Sequence, residues 1–118
     1  MLMDILYLIP ARGGSKGLPK KNIKKINGKS LINHSIDFAR NFTIDDNICL
    51  STDDFEIINS ALQNNYKSPF IRPNYLATDL ASTDDVILHA LNYYESKGKF
   101  YDLIVLLQPT TPFRKKSD

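Results

Sequence analysis

Hydrophobic and polar positions along the chain alternate between short unbroken apolar runs and segments with a helical period. Ile5-Leu6-Tyr7-Leu8-Ile9 is an apolar run closed by Pro10, the pattern of a strand buried on both faces. Asn47 to Ser51 and Leu103 to Leu107 have the same character, and Pro69 to Ile71 predicts a further short strand. Between them lie three amphipathic stretches. Ser30 can cap a helix whose Leu31, Ile32, Ser35, Ile36, Phe38 and Ala39 fall mostly on one face. Asp53 or Asp54 can cap a second helix running to about Asn64, with Phe55, Ile57, Ile58, Ala61 and Leu62 apolar. Ser82 or Thr83 opens a third, carrying Val86, Ile87, Ala90, Leu91 and Tyr94, which Gly98 stops. Residues 11–30 and 72–82 are polar and read as long loops.

The predicted order is β-α-β-α-β-α-β. Strands alternating with helices imply an α/β fold with a mainly parallel sheet covered on both faces. Ligands of such sheets sit beyond the carboxyl ends of the strands. Here those ends carry Ala11 to Asn22, Ser51-Thr52-Asp53 and Gln108 to Arg114.

Composition narrows this picture without changing it. The 118 residues are 42% hydrophobic and 24% charged, with a net charge of +2, enough for one small domain with a modest core. The small net charge does not favour a nucleic acid or a membrane surface as partner. No apolar run is long enough to span a bilayer, and the N-terminus lacks the basic region of a signal peptide, so cytoplasm is the default expectation. The lone Cys49 lies within an apolar run and is expected to behave as a small buried hydrophobe. His34 and His89 lie in helical segments with no second ligand at metal spacing, so surface or packing roles are expected of both. Ser117-Asp118 resembles a helix cap with no helix behind it, and the chain is expected to be truncated at its C-terminus.

The charge distribution is more informative than its sum. Residues 12–29 hold seven cations (Arg12, Lys16, Lys20, Lys21, Lys24, Lys25 and Lys29) and no acidic residue. This stretch directly follows the first strand. Its Gly13, Gly14 and Gly17 let the backbone approach a ligand closely and leave N–H groups unobstructed. Arg can grip a phosphate in two-pronged fashion and Lys can supply mobile charge, so the loop suits a triphosphate. A solvated lysine-rich loop would share the charge but not the glycines or the place after a strand, and Lys24 and Lys25 are expected to be merely solvated. Gly28-Lys29-Ser30 ends like a Walker loop, but the required first glycine falls on Ile23. Gly13-Gly14-Ser15-Lys16-Gly17 lacks the spacing of a dinucleotide-binding loop, and Pro19 follows before any helical pattern. The basic residues do not spread over a face or interleave with aromatic residues, as nucleic-acid binding would require.

Four ordered segments carry a resemblance to a known family. Ile9-Pro10-Ala11-Arg12-Gly13-Gly14-Ser15-Lys16-Gly17-Leu18-Pro19-Lys20-Lys21-Asn22 resembles the signature of the acylneuraminate cytidylyltransferases, the CMP-sialic acid synthetases. Ser51-Thr52-Asp53 is similar to that family's second strand end. Arg72-Pro73, Leu76-Ala77-Thr78-Asp79 and Ala81-Ser82-Thr83 are similar to its nucleobase loop. Leu106 to Arg114 is similar to its sugar-side strand end.

The resemblance implies a three-layer α/β/α nucleotidyltransferase fold, Rossmann-like, of which residues 1–118 would be the nucleotide-binding portion. It implies transfer of CMP from CTP to the anomeric hydroxyl of an acidic nine-carbon sugar, with release of pyrophosphate. That sugar would be N-acetylneuraminic, legionaminic, pseudaminic or a related acid, used in building cell-surface polysaccharide. By the same resemblance Arg12 and Lys21 would be catalytic, holding the triphosphate. Ala11, Gly13, Gly14, Ser15 and Lys16 would line the phosphates, and Asn22 would touch the ribose. Arg72, Ala81, Ser82 and Thr83 would surround cytosine, and Gln108 and Thr110 would face the sugar. Magnesium would bridge the phosphates on an acidic pair outside this chain. The family is usually a homodimer whose arm is also outside it. The alternative expectation is a truncated fragment that binds nucleotide without turnover.

Overall fold

The structure is a computed structural model that describes residues 3–11, 25, 26, 28–78 and 81–108. The central sheet has three parallel strands, β1 (Ile5–Pro10), β4 (Ile48–Ser51) and β5 (Leu103–Leu106), in the order β4-β1-β5. β1 pairs with β4 from Tyr7↔Ile48 to Pro10↔Ser51, and with β5 from Ile5↔Leu103 to Leu8↔Leu106. A small antiparallel hairpin, β2 (Lys25–Ile26) and β3 (Lys29–Ser30), leads into α1 (Leu31–Arg40). α2 (Phe55–Gln63) and α3 (Thr83–Ser96) complete the regular structure.

Two apolar clusters show why the strands are unbroken apolar runs. Side chains alternate across a strand, and at β1 and β4 both faces are covered, whereas β5 departs from the burial expected of it, with Leu103 and Leu106 exposed. Ile9, Ile48 and Leu50 pack with Ile32, Ile36 and Ala39 of α1 and Ile57 and Ala61 of α2. Leu6, Leu8 and Cys49 pack on the other side with Ala90 and Tyr94 of α3. The result is the expected three-layer α/β/α arrangement. Cys49 is buried as expected, and burial pushes its thiol up to about 12.

The helix ends follow their local chemistry. Ser30 caps α1 by accepting from Asn33 N, and Ser82 forms a reciprocal capping box with Asp85. Asp54, and not Asp53, caps α2, its Oδ1 accepting from Glu56 N at 2.8 Å. Gly98 (φ +80°) follows α3 in a left-handed cap, where Lys99 N donates to Tyr94 O at 2.9 Å. Phe38, Phe55 and Leu62 depart from the expected buried faces and are about half exposed or more.

Two elements differ from expectation. The hairpin interrupts the supposed loop 11–30, and Gly28 (φ +79°) precedes β3 in the left-handed conformation that favours glycine. Residues 69–71, in turn, form no strand. The outer edge of β4 is already occupied. The Tyr66 hydroxyl accepts from Leu50 N at 3.1 Å and donates to Ile48 O at 2.5 Å. With Pro69 lacking an N–H, the passing chain reaches the edge only through Arg72 N to Thr52 O at 2.8 Å.

An ion-pair network joins α1 to its surroundings. Arg40 holds Asp45 with two 2.8 Å hydrogen bonds, donates to Asn64 O at 3.0 Å and lies 3.7 Å from Asp37. Burial pushes the Asp37 carboxyl up, but hydrogen bonds from Lys29 and Asn64, with the charges of Lys29 and Arg40, outweigh it and hold Asp37 below the ordinary 3.8. The Arg40 hydrogen bond does the same for Asp45. A carboxylate with a lowered native pKa adds stability that is complete above its unfolded pKa and is lost as pH falls through the folded value. The denaturant midpoint should therefore begin to fall just above pH 3.8 and keep falling below it, and Asp37→Asn should flatten that decline.

Candidate active site

The carboxyl ends of β1 and β4 meet at one carbonyl. Ser51 O accepts from Ala11 N at 2.9 Å and from Arg72 Nη2 at 2.8 Å. One oxygen with two lone pairs thus ties the exit of β1, the end of β4 and the base of the loop after residue 72. Arg72 is buried, 4% exposed. Its Nε donates to Ser51 Oγ at 3.0 Å and its Nη1 to Leu76 O at 3.2 Å. The guanidinium fork therefore supports the 3₁₀ turn Asn74–Leu76 from beneath.

Ala11 is also buried, with its methyl in the core and its N–H held by Ser51. Whatever it does for a ligand, it does by fixing where the basic loop leaves the sheet. Ala81, Ser82 and Thr83 lie together at the start of α3. The Ser82 hydroxyl oxygen accepts from Asp85 N at 3.1 Å, which leaves its proton and a second lone pair to offer a ligand. The first N–H groups of α3 point out of the helix and favour acceptor or anionic atoms. Gln108 is exposed just beyond β5, where Leu107 N donates to Leu8 O at 2.8 Å and keeps the strand end in place.

Arg12, Gly13, Gly14, Ser15, Lys16, Lys21, Asn22 and Thr110 lie outside the described residues, as does Asp79. The structure thus joins Ala11 and Arg72 at Ser51 O, sets Ala81 in one cavity lining with Leu76 of the turn that Arg72 supports, and leaves Gln108 just past β5. Sequence reasoning missed Ser51 as the joint of the site. Its only signal was the polar Ser51-Thr52-Asp53 after an apolar run.

A cavity of about 640 Å³ opens beside Ala81, between the 3₁₀ turn and α3, lined by Tyr75, Thr78, Ala81, Asp85, His89 and Asn92 among others. His89 packs edge-on against Phe70 at 4.7 Å. Burial, and then the charge of Arg72, lower its pKa and favour the neutral ring. That agrees with a packing role. Among the described residues no three His, Cys, Asp or Glu side chains come together as metal ligands. Asp53 stands as a carboxylate just past the end of β4. No helix among them is long and apolar enough to cross a membrane.

The order of strands, the basic glycine loop and a second loop braced on Ser51 define a nucleotidyltransferase-like α/β domain. Residues 6–118 match the family model described as Cytidylyltransferase, and the chain belongs to that family. It is 44% identical over 114 residues to the pseudaminic acid cytidylyltransferase of Campylobacter jejuni subsp. jejuni serotype O:2, covering 97% of this chain and 49% of that protein. It is 41% identical over 113 residues to the CMP-N,N'-diacetyllegionaminic acid synthase of Legionella pneumophila, covering 96% and 49%. The chain thus spans about half the length of these curated relatives. Its fold is similar to that of a CMP:2-keto-3-deoxy-manno-octonic acid synthetase solved in complex with CTP. The TM-score is 0.73 at 23% identity, over 95% of this chain and 42% of that one.

Proposed function

We propose that this chain forms the nucleotide-binding part of a cytidylyltransferase that transfers CMP from CTP to the anomeric hydroxyl of a sialic-acid-like nine-carbon sugar acid. The observation that carries this is the Ser51 carbonyl, which joins the start of the basic glycine loop to the buried Arg72 under the second loop. A triphosphate site and a base site are thereby held in fixed relation. The sugar class is supported by relatives named for pseudaminic and legionaminic acids.

In this reading Arg12 and Lys21 neutralise the triphosphate, with Lys16 helping, and Gly13, Gly14 and Ser15 offer backbone N–H groups. Asn22 meets the ribose. Ala81, Ser82 and Thr83 read the cytosine edge from the start of α3, on a loop that Arg72 braces. Gln108 and Thr110 meet the sugar, whose hydroxyl attacks the α-phosphate as pyrophosphate leaves. The protein's contribution is to position the reactants and stabilise charge. Magnesium, when bound, would neutralise the phosphates, on ligands other than the described residues. The reaction belongs in the cytoplasm, where CTP is made.

Calorimetric titration with CTP, ATP and UTP in the presence of Mg²⁺ tests this. Saturable binding that prefers CTP is expected, and preference for ATP would overturn the proposal. Within the same series Arg12→Ala should weaken CTP binding roughly tenfold or more, a charge-assisted contact being lost. Lys25→Ala should change it by less than about threefold. Equal losses would count against a specific cradle.

A further inference from the structure

Among the seven cations of residues 12–29, Lys29 has a side chain whose contacts the structure describes. Lys29 stands on β3, in the hairpin that carries the chain from the basic loop into α1. Its ammonium is ion-paired with Asp37, about two turns into α1. Asp37 is itself held from other sides. Its Oδ1 accepts from Asn64 Nδ2 at 3.0 Å and lies 3.7 Å from Arg40 Nη1. Arg40 continues the network to Asp45 and to the end of α2 at Asn64.

The hairpin needs outside support. It has two residue pairs, Lys25↔Ser30 and Ile26↔Lys29, and an isolated hairpin is marginal even when longer. Ser30 supplies one attachment, its hydroxyl meeting Ser60 Oγ at 2.9 Å while capping α1. Lys29 supplies another, directed at a carboxylate fixed by two elements. A lysine engaged in this way is a poor phosphate ligand, because its charge is already compensated and withdrawing it would leave Asp37 partly buried beside fewer partners.

We propose that Lys29 is a positioning residue and not a phosphate ligand: through Asp37 it anchors the β2–β3 hairpin, and with it the return end of the segment carrying Arg12 to Asn22, against α1 and α2. The consequence for nucleotide binding rests on the function proposed above; the anchoring does not.

A double-mutant cycle with Lys29→Met and Asp37→Asn, with Lys29→Arg as the conservative control, separates the alternatives. Two readouts are needed: amide exchange across residues 25–30, and the Kd for CTP. An anchor predicts faster exchange by roughly three- to tenfold in each single variant, with the double variant no worse than either. CTP binding should weaken in both singles by a similar factor, and Lys29→Arg should stay near wild type. A direct or through-space effect on an anionic ligand predicts otherwise. Lys29→Met removes a positive charge and Asp37→Asn a negative one, so the two would move CTP binding in opposite directions. Opposite shifts, additive effects in the double variant, or unchanged exchange in Asp37→Asn would each overturn the proposal. Were the wild type not to bind CTP at all, the functional reading would fail while exchange still decided the anchoring.

Discussion

Arg72→Ala should lower stability by on the order of 3 kcal/mol or more and abolish the preference for CTP over UTP in the protein that remains folded. The stability loss follows from what the guanidinium satisfies. Ser51 O, Ser51 Oγ and Leu76 O all receive N–H donors from Arg72, and Ser51 is itself fully buried. Truncation leaves those acceptors short of donors in a low-dielectric interior and opens a cavity under the 3₁₀ turn. The loss of discrimination follows from the same geometry. Cytosine and uracil differ in donor and acceptor at two adjacent ring positions, and in the function proposed above telling them apart requires the Ala81–Thr83 segment to hold its groups in place. Arg72→Lys separates the two effects. It retains the charge, but a single ammonium cannot span Ser51 and Leu76 as a planar fork does. Part of the stability should return while discrimination stays low. Denaturant midpoints and paired CTP and UTP titrations, taken well below the melting temperature, check both halves. A folded Arg72→Ala protein that still prefers CTP would move the base site elsewhere.

How much of this was legible depended on whether a feature was periodic or convergent. The buried strands announced themselves because both faces of the sheet are covered, leaving no polar position in Ile5 to Ile9 or Ile48 to Leu50. The helix caps at Ser30 and Ser82 were equally local and equally readable. Residues 69–71 misled because a short apolar run between prolines resembles a strand. What decides is whether β4 has hydrogen-bonding groups left to offer, and Tyr66 takes Leu50 N and Ile48 O from a position no local pattern connects to them. The hairpin was readable in principle from Asn27-Gly28, but its two-residue strands are too short for an alternating pattern. Within the proposed site, the roles given to the loop residues rest on the family resemblance. The Ser51 carbonyl could not be found that way, because a backbone oxygen shared by two loops leaves no trace in side-chain identity. Lys29 shows the converse. In the sequence it counts in the basic stretch of residues 12–29 with no role of its own, and its approach to Asp37 reveals an attachment.

Tyr66 should be the most sensitive residue outside the site. Tyr66→Phe should cost about 1–3 kcal/mol, and Tyr66→Ala roughly 3–5 kcal/mol. The phenol is 1% exposed and stands where a neighbouring strand would, satisfying one N–H and one C=O on the outer edge of β4. Burial pushes its pKa well above the ordinary 10.0, so it keeps the proton it donates to Ile48 O at any workable pH. Phe preserves the packing but orphans both backbone groups, whereas Ala also removes the ring from the cluster containing Ile36, Ile57 and Ala61. The uncovered edge is then a template for pairing with another chain. Denaturant melts should therefore rank wild type above Tyr66→Phe and Tyr66→Phe above Tyr66→Ala, with concentration-dependent association strongest in the last. Because β4 runs from Ile48 to Ser51, loosening its edge should also weaken CTP binding, yet leave the preference for CTP over UTP intact while Arg72 stays in place. Loss of that preference in Tyr66→Phe would mean that the base site depends on the whole strand and not on the Arg72 fork.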